Sequence, residues 1–197
     1  FNPHSWDVAS NIEVEFKTLK EDQILTDEKG KQVPIQVVQS SATANGRNRI
    51  SFIAEIPAMG YRVYKVVSNA KRNEFQPIKA NDYVLENNRH RLEFNPETGF
   101  ISSIYDKEKQ YELLAGEAAR PVVIHDDSDT WSHDVVRFDD VVGEFKLKSI
   151  KRVEHGPVKS VIRVISEYNN SKITQEFAMY KDLDHIEVDV KVDWREE

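Results

Sequence analysis

The chain has 197 residues, of which 39% are hydrophobic, 10% aromatic and 31% charged; that supplies a core and excludes a wholly disordered polymer. No apolar run reaches the length of a membrane span, and the absence of cysteine removes disulfides, thiolate nucleophiles and cysteine-type zinc sites while fitting a reducing, cytoplasmic location. The net charge is −7 and no basic stripe is present, so nucleic acid is excluded as a natural partner, as is a membrane.

The first residues, FNPHSWDV, carry neither an initiator methionine nor a leader, which reads as a piece of something longer. His4-Ser5-Trp6-Asp7 holds the residue types of a nucleophile and its base. Neighbours on a strand point to opposite faces, however, so the expectation is a strand-opening turn with Trp6 packed into the core. From there period-two alternation dominates. IEVEF (12–16), VPIQV with Val33, Ile35 and Val37, and ISFIA with Ile50, Phe52 and Ala54 each place one face on a core and one in water. Turn formers separate the runs: Asp27-Glu28-Lys29-Gly30 and Asn45-Gly46 here, then Asn95-Pro96, Thr98-Gly99, His155-Gly156-Pro157 and Asn169-Asn170 further on. Tyr61 and Tyr64 in MGYRVY do not share a strand face and read as packing plus an edge contact.

Residues 69–82, NAKRNEFQPIKAND, have linker composition: polar, with one proline and no sustained period. They divide the chain into a small β-sandwich domain, 1–78, and a second β domain, 79–197. The first part holds 10 basic and 9 acidic side chains and the second 17 and 25, so the acidic excess belongs to the second. Its predicted strands are YVLEN, HRLEFN, GFISSIYD, YELL, RPVVIHD, one long GEFKLKSIKRVEHG, VKSVIRVISEYN, KITQEFAMYK and HIEVDVKVDW. The segment YELLAGEAA (111–119) reads as a strand and a loop, with a short helix as the alternative. It lacks a convincing N-cap and stops at Pro121. Strand follows strand to the end of the sequence, so the second sheet system is expected to be truncated.

HDDSDTWSHD (125–134) is the densest patch of chemistry: four aspartates, two histidines and a tryptophan. A metal site would draw on His125, His133 and the aspartates, but the spacing matches neither a helical HExxH nor a calcium loop. Paired carboxylates such as Asp127 and Asp129 would suit glycosidase chemistry if about 5–9.5 Å apart. A sugar-facing lip would use the flat face of Trp131, with Asp129 and His133 on hydroxyls. A solvated structural loop is the remaining reading, because four neighbouring negative charges repel and seek water. His90, His155 and His185 lie at strand or turn edges and read as exposed or hydrogen-bonded. Arg163 and Lys159 have the same parity and could meet this acidic loop or make ordinary cross-strand pairs.

Four stretches occurring in this order, FNPHSWDV, IPAMGYRVYKV, VLENNRHRLEFNPETGFISSIYDKE and HDDSDTWSHDV, resemble the β-rich C-terminal part of glycoside hydrolase family 38, the α-mannosidases, the bacterial branch especially. The resemblance covers nearly the whole chain and is most specific in the LEN…TGFISSIYDKE stretch. It implies an all-β fold, a small antiparallel β-sandwich followed by the first part of a large, galactose-mutarotase-like supersandwich. It implies a parent retaining α-mannosidase with an aspartate nucleophile and a divalent metal, zinc in the usual case. Both lie in N-terminal catalytic α/β and helical domains, which would be this segment's partners. Nothing here matches those motifs, so no catalytic residue, metal ligand or cofactor is assigned to this chain, and it is expected to be inactive alone.

By the same resemblance the β domains help to form the mannoside-binding cleft. Asp129, Trp131 and His133 are the residues expected to face it, with Asp127 and Asp134 as hydrogen-bonding support. A free-standing carbohydrate-binding module and a structural or homodimerising module are the alternatives. Titration of the isolated chain with mannose or mannobiose separates the first of these, and no measurable binding is expected with the other cleft wall missing.

Overall fold

A computed structural model describes residues 1–17, 19–39 and 47–196. The predicted Asn45-Gly46 turn lies outside them. Every regular element among the described residues is a strand, as the alternation requires, and the named pairings are antiparallel. No helix is long and apolar enough to cross a membrane. Two compact units are distinguished: Phe1–Lys79 with Glu154–Ser160 and Met179–Ile186, and Ala80–Val153 with Val161–Ala178 and Glu187–Glu197.

The first unit is built on β1 (Val8–Lys17), β2 (Ile24–Thr26), β3 (Gln32–Val33), β4 (Gln36–Val38), β5 (Arg47–Ile56) and β6 (Lys65–Val67). They form two sheets, ordered β1-β5-β4 and β3-β2-β6. β1 and β5 pair in register from Val8 opposite Ile56 to Lys17 opposite Arg47. Ile12 therefore faces the same way as Phe52. That face packs Phe52 and Ala54 on Leu25 of the other sheet, with Val33, Ile35, Ile56, Tyr64 and Val66 around them. Burying a side chain such as Leu25 or Phe52 contributes about 1.5–3 kcal/mol. Tyr64 joins this core through Phe52, with ring centroids 4.9 Å apart, and accepts the Glu55 amide on its hydroxyl, whereas Tyr61 stays exposed.

The other face of β1-β5-β4 departs from the sequence reading. Asn11, Glu13, Ser51 and Gln36 should face water, yet Ser51 is 0% exposed and Gln36 is buried. Residues 154–160 return over this face. The Gln36 Oε1 accepts the amides of Val158 and Lys159 at 3.2 and 3.0 Å. The Lys159 Nζ donates to Glu13 at 2.8 Å and lies 3.3 Å from a Glu154 oxygen, while Arg49 Nε is 3.0 Å from the second Glu13 oxygen. The Ser51 hydroxyl donates to Asn11 Oδ1 at 2.6 Å. Buried polar groups are tolerable only when partnered in this way. Gly156 lets the return approach closely, because a Cβ there would collide with the Gln36 side chain.

The opening turn forms, but Trp6 is 61% exposed and stacks on His4 rather than entering the core. Asn2 takes the buried position instead, its amide donating to the carbonyls of Trp6, Ile56 and Pro57. The polar segment after β6 is pinned as well. Arg72 donates to the Lys20 and Gln23 carbonyls, the Asn73 amide donates to Gln32, and Ile78 is buried.

The second unit draws on β7 (Lys79–Ala80), β8 (Val84–Glu86), β9 (His90–Phe94), β10 (Ile101–Asp106), β11 (Tyr111–Glu112), β12 (Val122–Ile124), β13 (Val141–Glu144), β14 (Lys146–His155), β15 (Lys159–Tyr168), β16 (Ser171–Tyr180) and β17 (Ile186–Asp193). The sheets are β11-β10-β9-β8-β7, β12-β13 and β14-β15-β16-β17. Phe94 of β9 meets Phe177 of β16 edge to face at 5.0 Å. Gly99 turns between β9 and β10 at φ 74°, where an added Cβ would also strike Leu147 and Val164. Asn169, at φ 47°, turns β15 into β16 as the Asn-Asn pair requires.

Tyr111–Ala119 is a strand and a loop, the helix alternative losing out because the Glu112 carboxylate accepts from Ser103 and from the amides of Ile104 and Leu114. The long 143–156 strand breaks at Phe145, which is buried with Val123 and Ile173 and donates its amide to the Pro121 carbonyl. Arg163 makes a cross-strand pair with Glu176 at 2.6 Å and Lys159 is held by Glu13 and Glu154, so cross-strand and return contacts, not the acidic loop, satisfy these two cations.

Candidate functional site

The acidic segment leaves β12 at Ile124 and rejoins the sheet at β13. Its neck is closed by the His125 amide donating to the Asp140 carbonyl at 2.9 Å, with the His125 ring 3.6 Å from the Asp140 carboxylate. Between these ends the aspartates organise the backbone that carries them, as short acceptor side chains do in turns. Asp126 accepts from the Ser128 amide and hydroxyl. One oxygen of Asp129 accepts the amides of Trp131 and His133, at 3.0 and 3.1 Å; the other lies 2.6 Å from His133 Nδ1. The Ser132 amide donates to the Asp129 carbonyl, with Ser132 at φ 52° and Asp134 at φ 62°.

This geometry brings Asp129 and His133 together and sets Trp131 between them in sequence with its side chain turned out, 81% exposed. Asp127 and Asp134 are exposed. The hydrogen bond from His133, then the backbone amides, hold the Asp129 carboxyl below its usual range; the Ser128 hydroxyl and amide do the same for Asp126. Both stay ionised at neutral pH. A glycosidase general acid needs the opposite shift, a carboxyl raised by burial, so neither is built to protonate a leaving group. They are built to hold a loop.

Among the described residues no three His, Asp or Glu side chains are arranged to hold a metal.

Strand alternation gave no warning of the apolar stretch beyond Asp134. Val136 is 95% exposed, and Phe138, Val141 and Val142 are exposed too. With Trp131 they make an apolar run across residues 131–142, beside an acidic cluster in which Asp126 and Asp129 are already bonded within the loop. The signal was present as VVRFDDVV, which alternates neither at period two nor at a helical period.

The model of the glycosyl hydrolases family 38 C-terminal domain matches residues 85–197. That span includes β9 to β17 and the whole loop. No curated protein matches the chain. With more than half its length matched, and with an all-β fold to go with it, this chain belongs to glycosyl hydrolase family 38 as a C-terminal, non-catalytic part of a glycosidase-family protein.

Proposed function

We propose that this chain is a β part of a retaining α-mannosidase and that loop 125–140 forms part of the mannoside-binding cleft. The observation that carries the reading is Trp131: a large aromatic ring presented to solvent on a loop whose backbone is tied down by its own carboxylates. Exposing a ring costs free energy, and fixing its support reduces the ordering entropy that binding would otherwise cost. A sugar ring has an apolar C–H face that such an indole can meet. Asp129 and His133, one rigid pair, supply an acceptor and a donor at the ring's edge, with Asp127 and Asp134 available for outer hydroxyls.

On this reading the aspartate nucleophile and the divalent metal belong to N-terminal catalytic α/β and helical domains, and this chain contributes positioning. Positioning is no small share of catalysis, since a misplacement of about 1 Å costs roughly 100-fold in rate. The isolated chain is then inert toward aryl α-mannosides.

The test is Trp131→Ala in the full-length protein. Turnover of a mannobioside should fall by at least about tenfold with an unchanged melting temperature, since the ring packs against nothing that the fold needs. Unaltered kcat and KM would remove the loop from the cleft.

A further inference from the structure

The first unit contains two adjoining cavities that no strand pattern announced. One, of about 350 Å³, is lined by β-sheet residues including Ile53 and Tyr64 and by Pro157 and Lys181. The other, of about 360 Å³, lies along Arg72–Gln76 and Ile35. Gln32, Val33, Phe75 and Pro157 line both, so the half-buried Phe75 stands where the two meet. Each volume falls in the range of about 300–1,000 Å³ typical of small-molecule sites.

The lining has a particular chemistry. The first cavity carries three cations, Lys31, Arg62 and Lys181, and three anions, Asp27, Glu55 and Asp182; the second adds Arg72 and Glu74. Charge is balanced in each, which selects against a phosphate or a polyamine. Several of these groups are held in place: Arg62 by Glu28, the Asp27 carboxylate by the amides of Lys29 and Lys31, Lys181 by the Gln76 carbonyl, and Arg72 by two carbonyls. The Lys31 ammonium and the Glu55 and Asp182 carboxylates have no hydrogen-bond or ion-pair partner among the described residues. Donors and acceptors thus stand side by side around apolar surface from Phe75, Val33 and Pro157.

We propose that this groove binds an uncharged glycan of disaccharide size. A sugar hydroxyl donates and accepts at once, which suits mixed, charge-neutral walls; the C–H faces of two linked rings suit an apolar divider shared by two cavities. The groove is separate from loop 125–140 in residues and does not depend on the role proposed for that loop.

The test is calorimetric titration of the 197-residue chain with α-linked mannobiose, and with a sulfated disaccharide as the charged control. Mannobiose should bind with a stoichiometry of one and the sulfated sugar at least about tenfold more weakly. Phe75→Ala and Glu55→Ala should each weaken mannobiose binding by about tenfold or more, a loss of about 1.4 kcal/mol, while Tyr111→Ala, at an exposed position of the other unit, leaves it unchanged. Glu55 is exposed, so its variant reads the site even if Phe75→Ala unfolds the unit. No saturable binding, binding that survives Glu55→Ala, or equal affinity for the sulfated sugar would each overturn the proposal. Loss of binding on Trp131→Ala alone would overturn it too, and would credit the loop instead.

Discussion

Two regions of the molecule are dense in charge and use it in opposite ways. On the polar face of β1-β5-β4, Glu13, Lys159, Glu154 and Gln36 find partners far away in the sequence: Lys159 reaches Glu13 across 146 positions and Gln36 accepts an amide across 123. In loop 125–140 every bond made by Asp126 and Asp129 is closed within four positions. The first arrangement ties residues 154–160 onto residues 1–79 and is part of the fold. The second orders only itself, so it can present Trp131 without the core depending on it. Long-range polar contacts of this kind hold the fold together; the short-range ones hold only the loop.

The largest effect that should sharpen this contrast is Lys159→Ala. It leaves the half-buried Glu154 without this cation and Glu13 with Arg49 alone, and breaking one side of such a pair costs about 3–5 kcal/mol. Chemical denaturation of wild type and variant measures it. A loss as small as that of an exposed ion pair would erase the distinction between the two regions.

A smaller effect lies in the pH dependence. Burial alone would raise the Glu13 carboxyl, but the hydrogen bond and charge of Lys159, with the charge of Arg49, outweigh it and hold it below its usual range. A group whose folded pKa is depressed contributes stability above its unfolded pKa and loses it as pH falls through the folded value. The stability gap between wild type and Glu13→Gln should therefore be full at neutral pH and close below about pH 4.3, the usual glutamate value. Lys159 has the opposite sign. Burial lowers its pKa, the two glutamates raise it further, and the net shift is upward. Its contribution is full below about pH 10.4 and is lost as pH rises through the folded value.

The smallest effect belongs to the loop. Asp129→Ala should leave the melting temperature where it is, yet speed hydrogen exchange at the amides of Trp131 and His133, which donate to that carboxylate. A lowered melting temperature would mean that the loop is part of the fold after all.

How much of this was legible in the sequence differs between the regions. Strands and turns were, because alternation and residues such as Gly30, Gly99 and Asn169 act locally; all three adopt the positive φ that their turns need. The fate of the polar face was not. Asn11, Ser51 and Gln36 look like water-facing residues because alternation reports only that two faces differ, not what later covers one of them. The segment that does so begins about a hundred positions downstream. Trp6 was misplaced for a similar reason: a tryptophan at a strand's start suggests a core, but Asn2 fills that place through three carbonyls. In the loop the composition announced chemistry, while the inward turn of the Asp126 and Asp129 carboxylates and the outward turn of Trp131 are matters of backbone geometry.

β17 closes one side of the β14-β15-β16-β17 sheet with Val188, Val190 and Val192 exposed on one face and Glu187, Asp189, Lys191 and Asp193 on the other. Its outer N–H and C=O groups form a ready template for a further strand. The charges that alternate along it are what edge strands carry against indiscriminate pairing, so a strand added there would need a complementary pattern.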